Sequence, residues 1–267
     1  MKHSFGFLFL LLTCGLASAQ TTDCAALTHQ ALELSGFNQS IDHLMDVISS
    51  DSFMNQIRGR ESAEEFISIF RPIMLKEFNA DLLRKEIQQR MVARCNPEEM
   101  ALTVQRLQEP LVAKMLVLEA ATNTAEGQQK LKRYVRIAST VPPTDDRIEA
   151  LDAVDASVGI SDYATDTFMA MMRGIMTGAG APPEILARLE SQRKELKTEM
   201  QNNIELSMSV TYHGVTRPEL QQYAKELGSQ PLKGFYTQVS KSFVEIVEER
   251  SRLIGQDLKK AMVARQN

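Results

Sequence analysis

The sequence predicts an all-α protein made of two related helical bundles in tandem, the second of which ends in a long C-terminal helix. Three observations support this prediction. Strong helix formers dominate the 267 residues, and no convincing run of β-branched residues alternates with period two. Helix-start signals recur along the chain. The second half of the chain also matches the first half at a fixed spacing.

The first twenty residues have the order of a signal peptide. A short basic start is followed by an apolar run over 5–12 and by Ala-Ser-Ala at 17–19, the pattern of a small-residue cleavage site. We therefore expect a signal peptide at 1–19 and a periplasmic or secreted mature chain without a membrane span, because no later apolar stretch is long enough. An alternative is a lipoprotein box at 11–14, which would anchor Cys14 to a lipid.

Capping residues and prolines mark the starts of the helices. Thr216-x-x-Glu219 has the form of a capping box, and Asn96-Pro97 combines an N-cap with a proline at the first helical position. Gly36 and Gly228 lie where helix ends favour a left-handed residue. These signals predict several medium-length helices joined by short turns.

The last helix is predicted to begin near Leu232 and to exceed 30 residues. Apolar side chains at seven-residue spacing form one face, and further apolar residues widen it. The residues of this face are Leu232, Phe235, Tyr236, Val239, Phe243, Ile246, Val247, Leu253, Ile254 and Leu258. A helix of this length is typical of a bundle, where the face packs within its own fold. The same face could also offer a seam to a partner helix.

A shift of 121 residues superimposes the two halves of the chain. Pro97 then falls on Pro218 and Pro110 on Pro231, each with the residue that follows it. Apolar positions of the flanking segments coincide at the same shift. This spacing predicts a tandem duplication.

Two adjacent prolines lie near the middle of the mature chain. Pro142 and Pro143 cannot easily continue a helix. We therefore expect a first helical unit at 20–141 and a second at 144–267.

Two cysteines remain in the mature chain, Cys24 and Cys95. In an oxidising compartment two thiols of one chain are expected to pair. Because they lack a C-x-x-C spacing, we expect a structural disulfide that ties the mature N-terminus to the helix start at Asn96. Such a bond requires Cα atoms about 4.4–6.8 Å apart.

The segment around the second capping box resembles a known family. Thr216-x-x-Glu219-Leu220 leads through Tyr223 to Ser229-Gln230-Pro231-Leu232-Lys233-Gly234. This resembles a family of secreted bacterial helical proteins catalogued as a domain of unknown function. Its members carry a Thr/Ser-x-x-Glu-Leu helix start, an aromatic residue, and Ser-Pro-x-Gly before the final helix. Here Gln230 interrupts the last motif. The resemblance implies an all-helical envelope protein, here in two tandem copies, and it implies no activity or ligand.

Composition and motifs argue against several functional classes. The net charge of −4 and the pI of about 5.7 show that the chain is acidic, whereas nucleic-acid-binding proteins are usually basic. His29, His43 and His213 have no helical i, i+4 pairing, and no H-E-x-x-H, G-x-S-x-G or phosphate-binding glycine loop occurs. We therefore predict no catalytic residue, no metal site and no cofactor.

A methionine-rich segment is the most unusual local feature. Met169, Met172 and Met176 lie on one face of a predicted helix. Thioethers fill irregular cores, line adaptable grooves for a partner or ligand, and also coordinate Cu(I). Core packing is the interpretation that the sequence favours, because no histidine flanks the cluster.

The absence of catalytic motifs, together with long apolar helix faces, predicts a non-enzymatic periplasmic or secreted protein. It would bind an envelope protein partner or a second copy of itself. The alternative is a carrier that holds a small apolar ligand or lipid in a cavity between helices. The candidate partner or ligand surface comprises Met169, Met172, Met176, Phe235, Val239, Phe243 and Ile246. A concave pocket with converging polar groups would favour the carrier.

Overall fold

The computed structural model describes residues 23–50, 63–138 and 144–266. Within these ranges the chain forms thirteen α-helices and no strand, so the predicted all-α class is confirmed. None of these helices is both long and apolar enough to cross a membrane. The predicted signal peptide at 1–19, the alternative anchor at Cys14 and the break at 142–143 lie outside the described residues.

Short turns join the helices wherever the structure describes the connection. They are α1 (23–34), α2 (Phe37–Ser49), α3 (Ala63–Glu77), α4 (Ala80–Ala93), α5 (Pro97–Leu107), α6 (Pro110–Thr122), α7 (Ala125–Ala138), α8 (Asp145–Val158), α9 (Ile160–Ala179), α10 (Pro183–Ser191), α11 (Arg193–Thr211), α12 (Arg217–Leu227) and α13 (Leu232–Gln266).

Helix α13 forms the spine of the fold. Its 35 residues confirm the predicted long C-terminal helix, and it packs against α3, α4, α5, α8, α9 and α12. The predicted apolar face is buried except at Tyr236, which is half-buried, and at Leu253, which is 37% exposed, whereas its neighbour Ile254 is fully buried. A seven-residue repeat drifts by about 20° per heptad relative to a straight α-helix. After three heptads the buried position has therefore moved to the next residue.

Helices α9 and α13 approach each other backbone to backbone. A Cβ atom built on Gly178 would lie 2.0 Å from the carbonyl oxygen of Arg252, and one built on Gly255 would lie 2.1 Å from that of Ile175. No side chain fits at such distances. Glycine therefore permits the most extensive helix pairing of the described structure.

The predicted units at 20–141 and 144–267 share one hydrophobic core. Leu83 and Met91 of α4 belong to the same buried cluster as Leu151 of α8 and Ile246 of α13. Salt bridges also join the two parts: Arg90 on α4 contacts Glu245 and Glu249 on α13, at 2.9 and 2.6 Å. The described residues thus do not separate into two independent bundles, and the tandem duplication remains a prediction.

The buried positions of α5 and α12 correspond at a shift of 120 residues rather than the expected 121. Each helix has 11 residues. The buried side chains of α5 and α12 pair as Met100 with Leu220, Thr103 with Tyr223 and Leu107 with Leu227. Helix α12 begins one residue before its proline, whereas α5 begins at its proline. Within these two helices the alignment of prolines is therefore one residue out of register with the buried positions, whereas Ile87 with Met208 and Met91 with Tyr212 are buried pairs at the expected shift of 121.

The predicted disulfide is confirmed. Cys24 and Cys95 are bonded, and their Cα atoms lie 6.0 Å apart, within the expected range. Cys24 is 5% exposed, so the bond fixes α1 against the turn that precedes α5. The start of the described chain is thereby held in the core region.

The capping predictions hold at three of four positions. The Asn96 side chain accepts hydrogen bonds from the first N–H groups of α5. Thr216 and Glu219 form the capping box of α12. Gly36 has a left-handed conformation, with φ +71°. The prediction for Gly228 was wrong, because its φ is −74°. A right-handed turn there already satisfies the terminal carbonyl groups, since the Gly228 N–H donates to Ala224.

We expect Gly178→Ala to lower the free energy of unfolding by about 1–3 kcal/mol, because the added methyl group collides with the backbone of α13. Gly214→Ala is the matched control: a Cβ there meets nothing within 4 Å. Urea denaturation followed by circular dichroism measures both. Equal stability of the two variants would contradict the close packing of α9 and α13.

Candidate functional site

A cavity of about 330 Å³, hereafter the polar cavity, lies where α6, α11, α12 and the first turns of α13 converge. Helices α8 and α9 and the turn between α1 and α2 complete its walls. Its lining includes Glu119, Thr122, Tyr163, Ser207, Tyr212, Tyr223 and Tyr236. The volume is at the lower end of the range for small-molecule sites, about 300–1,000 Å³.

Among the described residues, Glu119 is the only carboxyl group in the wall of the polar cavity. The hydroxyl of Tyr212 donates to its Oε1 at 2.6 Å, and the hydroxyl of Tyr223 donates to the same oxygen at 2.7 Å. Glu119 is half-buried and lines the polar cavity. Among the described residues Oε2 accepts no hydrogen bond, so it is available to a bound molecule.

Three helices place these groups together. Glu119 lies in the last turn of α6, Tyr212 caps the C-terminus of α11, and Tyr223 lies on the buried face of α12. Both tyrosines are 2% exposed or less, and their rings meet edge to face with centroids 6.3 Å apart. Because the core holds the rings, their hydroxyl groups are fixed on the carboxylate.

No cationic side chain compensates Glu119 within the described structure. The lining of the polar cavity contains no Lys, Arg or His. Arg147, on α8, instead donates to the backbone carbonyl groups of Tyr212 and Val215. The C-terminal end of α6 also carries the negative end of the helix dipole. The ionised carboxylate is therefore disfavoured by its surroundings apart from the two phenol donors.

Burial raises the pKa of the Glu119 carboxyl, and the hydrogen bonds from Tyr212 and Tyr223 offset part of this increase. Burial and the nearby carboxylate also raise the pKa of both tyrosines. Their hydroxyl groups thus remain protonated donors at neutral pH. Buried groups with perturbed pKa values that face a cavity are typical of functional sites.

A second cavity, hereafter the apolar cavity, adjoins the first. Its volume is about 440 Å³, and it lies between α2, α3, α9 and α13. Phe37, Ser40 and Tyr163 line both cavities. The Phe243 ring packs between them, with its centroid 5.9 Å from those of Phe37 and Tyr163. A small aromatic cluster thus stands at the junction of the two spaces.

A third cavity, of about 390 Å³, lies behind α6 and α11 and is lined by Lys130, Arg133 and His213. Thr122 and Thr211 line both this space and the polar cavity, and their hydroxyl oxygens are 2.9 Å apart. Lys130 already pairs with Glu126 at 2.9 Å. This space therefore has a basic wall, but its best-placed cation is already paired.

The structure distributes the predicted surface residues between the core and the cavities. Phe235, Val239, Phe243 and Ile246 are at most 3% exposed, and Met169 is 1% exposed. Met172 and Met176 are half-buried on the same helix. Packing within the fold buries the α13 face, so these four residues cannot form an exposed partner surface.

Three of the predicted residues do border cavities. Phe235 and Val239 line the polar cavity, and Phe243 lines the apolar cavity. Within the described residues, no group of three or more His, Cys, Asp or Glu side chains could hold a metal ion.

Sequence reasoning did not single out Glu119. One signal was present: α6 is the most apolar of the helices, and Glu119 is the one acid within it. An isolated acid among Leu, Val and Ala is exposed on a surface helix and costly in a core. The surrounding tyrosines come from residues about 90 to 120 positions away, so only the fold reveals the cluster.

Comparison with known proteins gives no relative. The scan against protein families, the search of curated proteins and the search of solved structures each found no match to this chain.

We expect Glu119→Gln to be more stable than the wild type at neutral pH, with an advantage that disappears in acid. The pKa of the Glu119 carboxyl is higher in the folded protein than its value of 4.5 in the unfolded chain. The carboxyl group therefore contributes its full stabilisation below pH 4.5, and this contribution is lost as the pH rises through the folded pKa. Glutamine keeps the acceptor oxygen and cannot ionise. Urea denaturation of both proteins between about pH 4 and pH 8 measures the difference.

Glu219→Gln is the control of opposite sign. Hydrogen bonds from Lys114 and Thr216 lower the pKa of Glu219 to about 2 in the folded protein. The contribution of Glu219 to the free energy of unfolding is therefore fully present above its unfolded pKa of 4.5, and it is lost as the pH falls through about 2. This variant should be less stable than the wild type at neutral pH. If the difference between Glu119→Gln and the wild type did not change with pH, Glu119 would not be a destabilised carboxylate.

Proposed function

We propose that this protein is a non-enzymatic binding protein that carries a small, largely apolar molecule in the polar cavity. The observation that supports this proposal is a half-buried carboxylate in the wall of a cavity, which has no protein cation and keeps one oxygen without a hydrogen bond among the described residues. Such a group destabilises the fold unless it serves a ligand. Two fixed phenol donors and an aromatic wall provide the orientation and contact area typical of small-molecule sites.

The geometry offers little to a catalytic alternative. The two tyrosines and Glu119 could exchange a proton with a ligand. However, the lining of the polar cavity includes no histidine, lysine or cysteine that could serve as a general base or covalent nucleophile beside them. Binding therefore accounts for the arrangement more directly than chemistry does.

Binding of an envelope protein partner receives less support. The α13 residues predicted to contact a partner are buried, and the exposed apolar side chains of the described structure, such as Leu102, Val117 and Met262, are distributed over different helices. Scattered exposed apolar residues are usual on soluble domains.

We place this carrier in the periplasm or outside the cell. The Cys24–Cys95 bond suits an oxidising compartment. The sequence pattern at 1–19 is that of a secretory signal.

We expect the protein to bind the uncharged fluorescent probe N-phenyl-1-naphthylamine, and Ser207→Trp to weaken this binding by about tenfold or more. Ser207 lines the polar cavity, and an indole there occupies the ligand space. Asn203→Trp is the matched control, because Asn203 is exposed on the same helix. Fluorescence titration measures all three proteins.

Ser240→Trp, on the opposite wall of the polar cavity, gives a second test should Ser207→Trp fold poorly. A wild-type protein that does not bind the probe would contradict the proposed function. So would two tryptophan variants that fold and bind it as tightly as the Asn203→Trp control.

A further inference from the structure

The uncompensated charge of Glu119 restricts the ligand. An anionic ligand would meet a carboxylate in a cavity without any basic side chain in its lining. A neutral ligand would leave the carboxylate without a counter-charge. A ligand that carries a positive charge supplies what the described protein lacks, and its N–H group can donate to the free Oε2.

The walls favour an organic cation over a metal ion. Calcium and magnesium require several oxygen ligands, and Glu119 is the only acid that lines the polar cavity. Aromatic rings, in contrast, attract ammonium groups through their negative faces. Tyr212 and Tyr223 contact the carboxylate through their hydroxyl groups, and Tyr236 lines the same cavity. The centroids of Phe235 and Tyr236 lie 5.3 Å apart in the same wall.

The apolar cavity provides room for a hydrocarbon chain. Its lining is almost wholly apolar and includes Ile41, Leu44, Met171 and Val247. Phe37 and Tyr163 line both cavities, so a chain that leaves the ammonium site would enter the second space past this aromatic cluster. The pair of cavities thus has a charged end and an apolar end.

Resting on the proposed function, we infer that the ligand is an amphipathic amine, with its ammonium group on Glu119 and its hydrocarbon chain in the apolar cavity. Binding removes the unpaired buried charge from the protein. The amine and the carboxylate form a charge-assisted hydrogen bond next to the two phenol donors.

The test compares ligands that share one chain and differ in charge. Calorimetric titration of the wild type should rank octylammonium above octanol by about tenfold or more, with octanoate the weakest. Glu119→Gln should reduce the difference between octylammonium and octanol to about twofold. The wild-type ranking alone remains informative should Glu119→Gln fold poorly.

The chain direction needs a second variant. Ala164→Phe introduces a ring into the apolar cavity alone, since Ala164 does not line the polar cavity. It should weaken octylammonium by about tenfold and leave butylammonium within about twofold of the wild type. Equal weakening of both amines, or of neither, would overturn the assignment of the chain to this cavity.

The possible results separate the two proposals. Equal affinities for octanol and octylammonium, with N-phenyl-1-naphthylamine still excluded by Ser207→Trp, would overturn the amine and keep the carrier. Failure of the wild type to bind both the probe and all three octyl ligands would overturn both. Tighter binding of octanoate would show that Glu119 acts in its protonated form on an anion, which also overturns the amine.

Discussion

The fold depends on how closely α9 approaches α13. Gly178 and Gly255 let the two backbones touch, and this contact fixes the C-terminal part of the spine. The N-terminal part of the same helix then carries Phe235, Tyr236 and Val239 into the wall of the polar cavity. Because α13 is one continuous helix, its packing against α9 near the C-terminal end also fixes the position of its N-terminal residues. These N-terminal residues form the aromatic wall of the polar cavity. The two cavities lie beside this spine, where α6, α11 and α12 adjoin the polar cavity and α2, α3 and α9 adjoin the apolar cavity.

The polar cavity combines features that oppose each other within the folded protein. Packing that buries Tyr212 and Tyr223 also shields Glu119 partly from water, and the helix dipole of α6 adds to the electrostatic penalty. The hydrogen bonds from the two phenol groups offset part of this electrostatic penalty. The remainder is available to a ligand, because a group that is poorly solvated in the free protein gains more from a partner. This coupling joins the stability of the fold to the affinity of the site.

Regular patterns allowed the sequence to predict much of the fold. The composition and capping signals predicted the helices, and the periodicity of α13 predicted its length and its buried face, apart from the half-buried Tyr236 and the exposed Leu253. Local rules failed where a residue had two acceptable conformations, as at Gly228, or where a repeat drifted, as at Leu253. The disulfide was predictable because the chain offers a single pair of cysteines after the expected cleavage.

The candidate site was largely hidden from sequence reasoning. Glu119 and its two donors are far apart in the chain, and each is unremarkable alone. The apolar residues of α13 were recognised as important, but burial in one shared core gives them a role inside the protein rather than on its surface. Whether a hydrophobic stripe faces a core, a cavity or a partner depends on tertiary contacts that periodicity does not contain.

The charge of Glu119 can be observed directly through the ¹³C chemical shift of its carboxyl carbon. A pH titration by NMR should give a pKa above the ordinary value of 4.5 in the free protein. With saturating octylammonium the pKa should fall, because the bound cation stabilises the carboxylate. Glu219, which pairs with Lys114 on the surface, provides an internal reference that should not respond to the amine. A Glu119 carboxyl that titrates at its ordinary value, or whose pKa is unchanged by the amine, would contradict the assignment of a cationic ligand to this site.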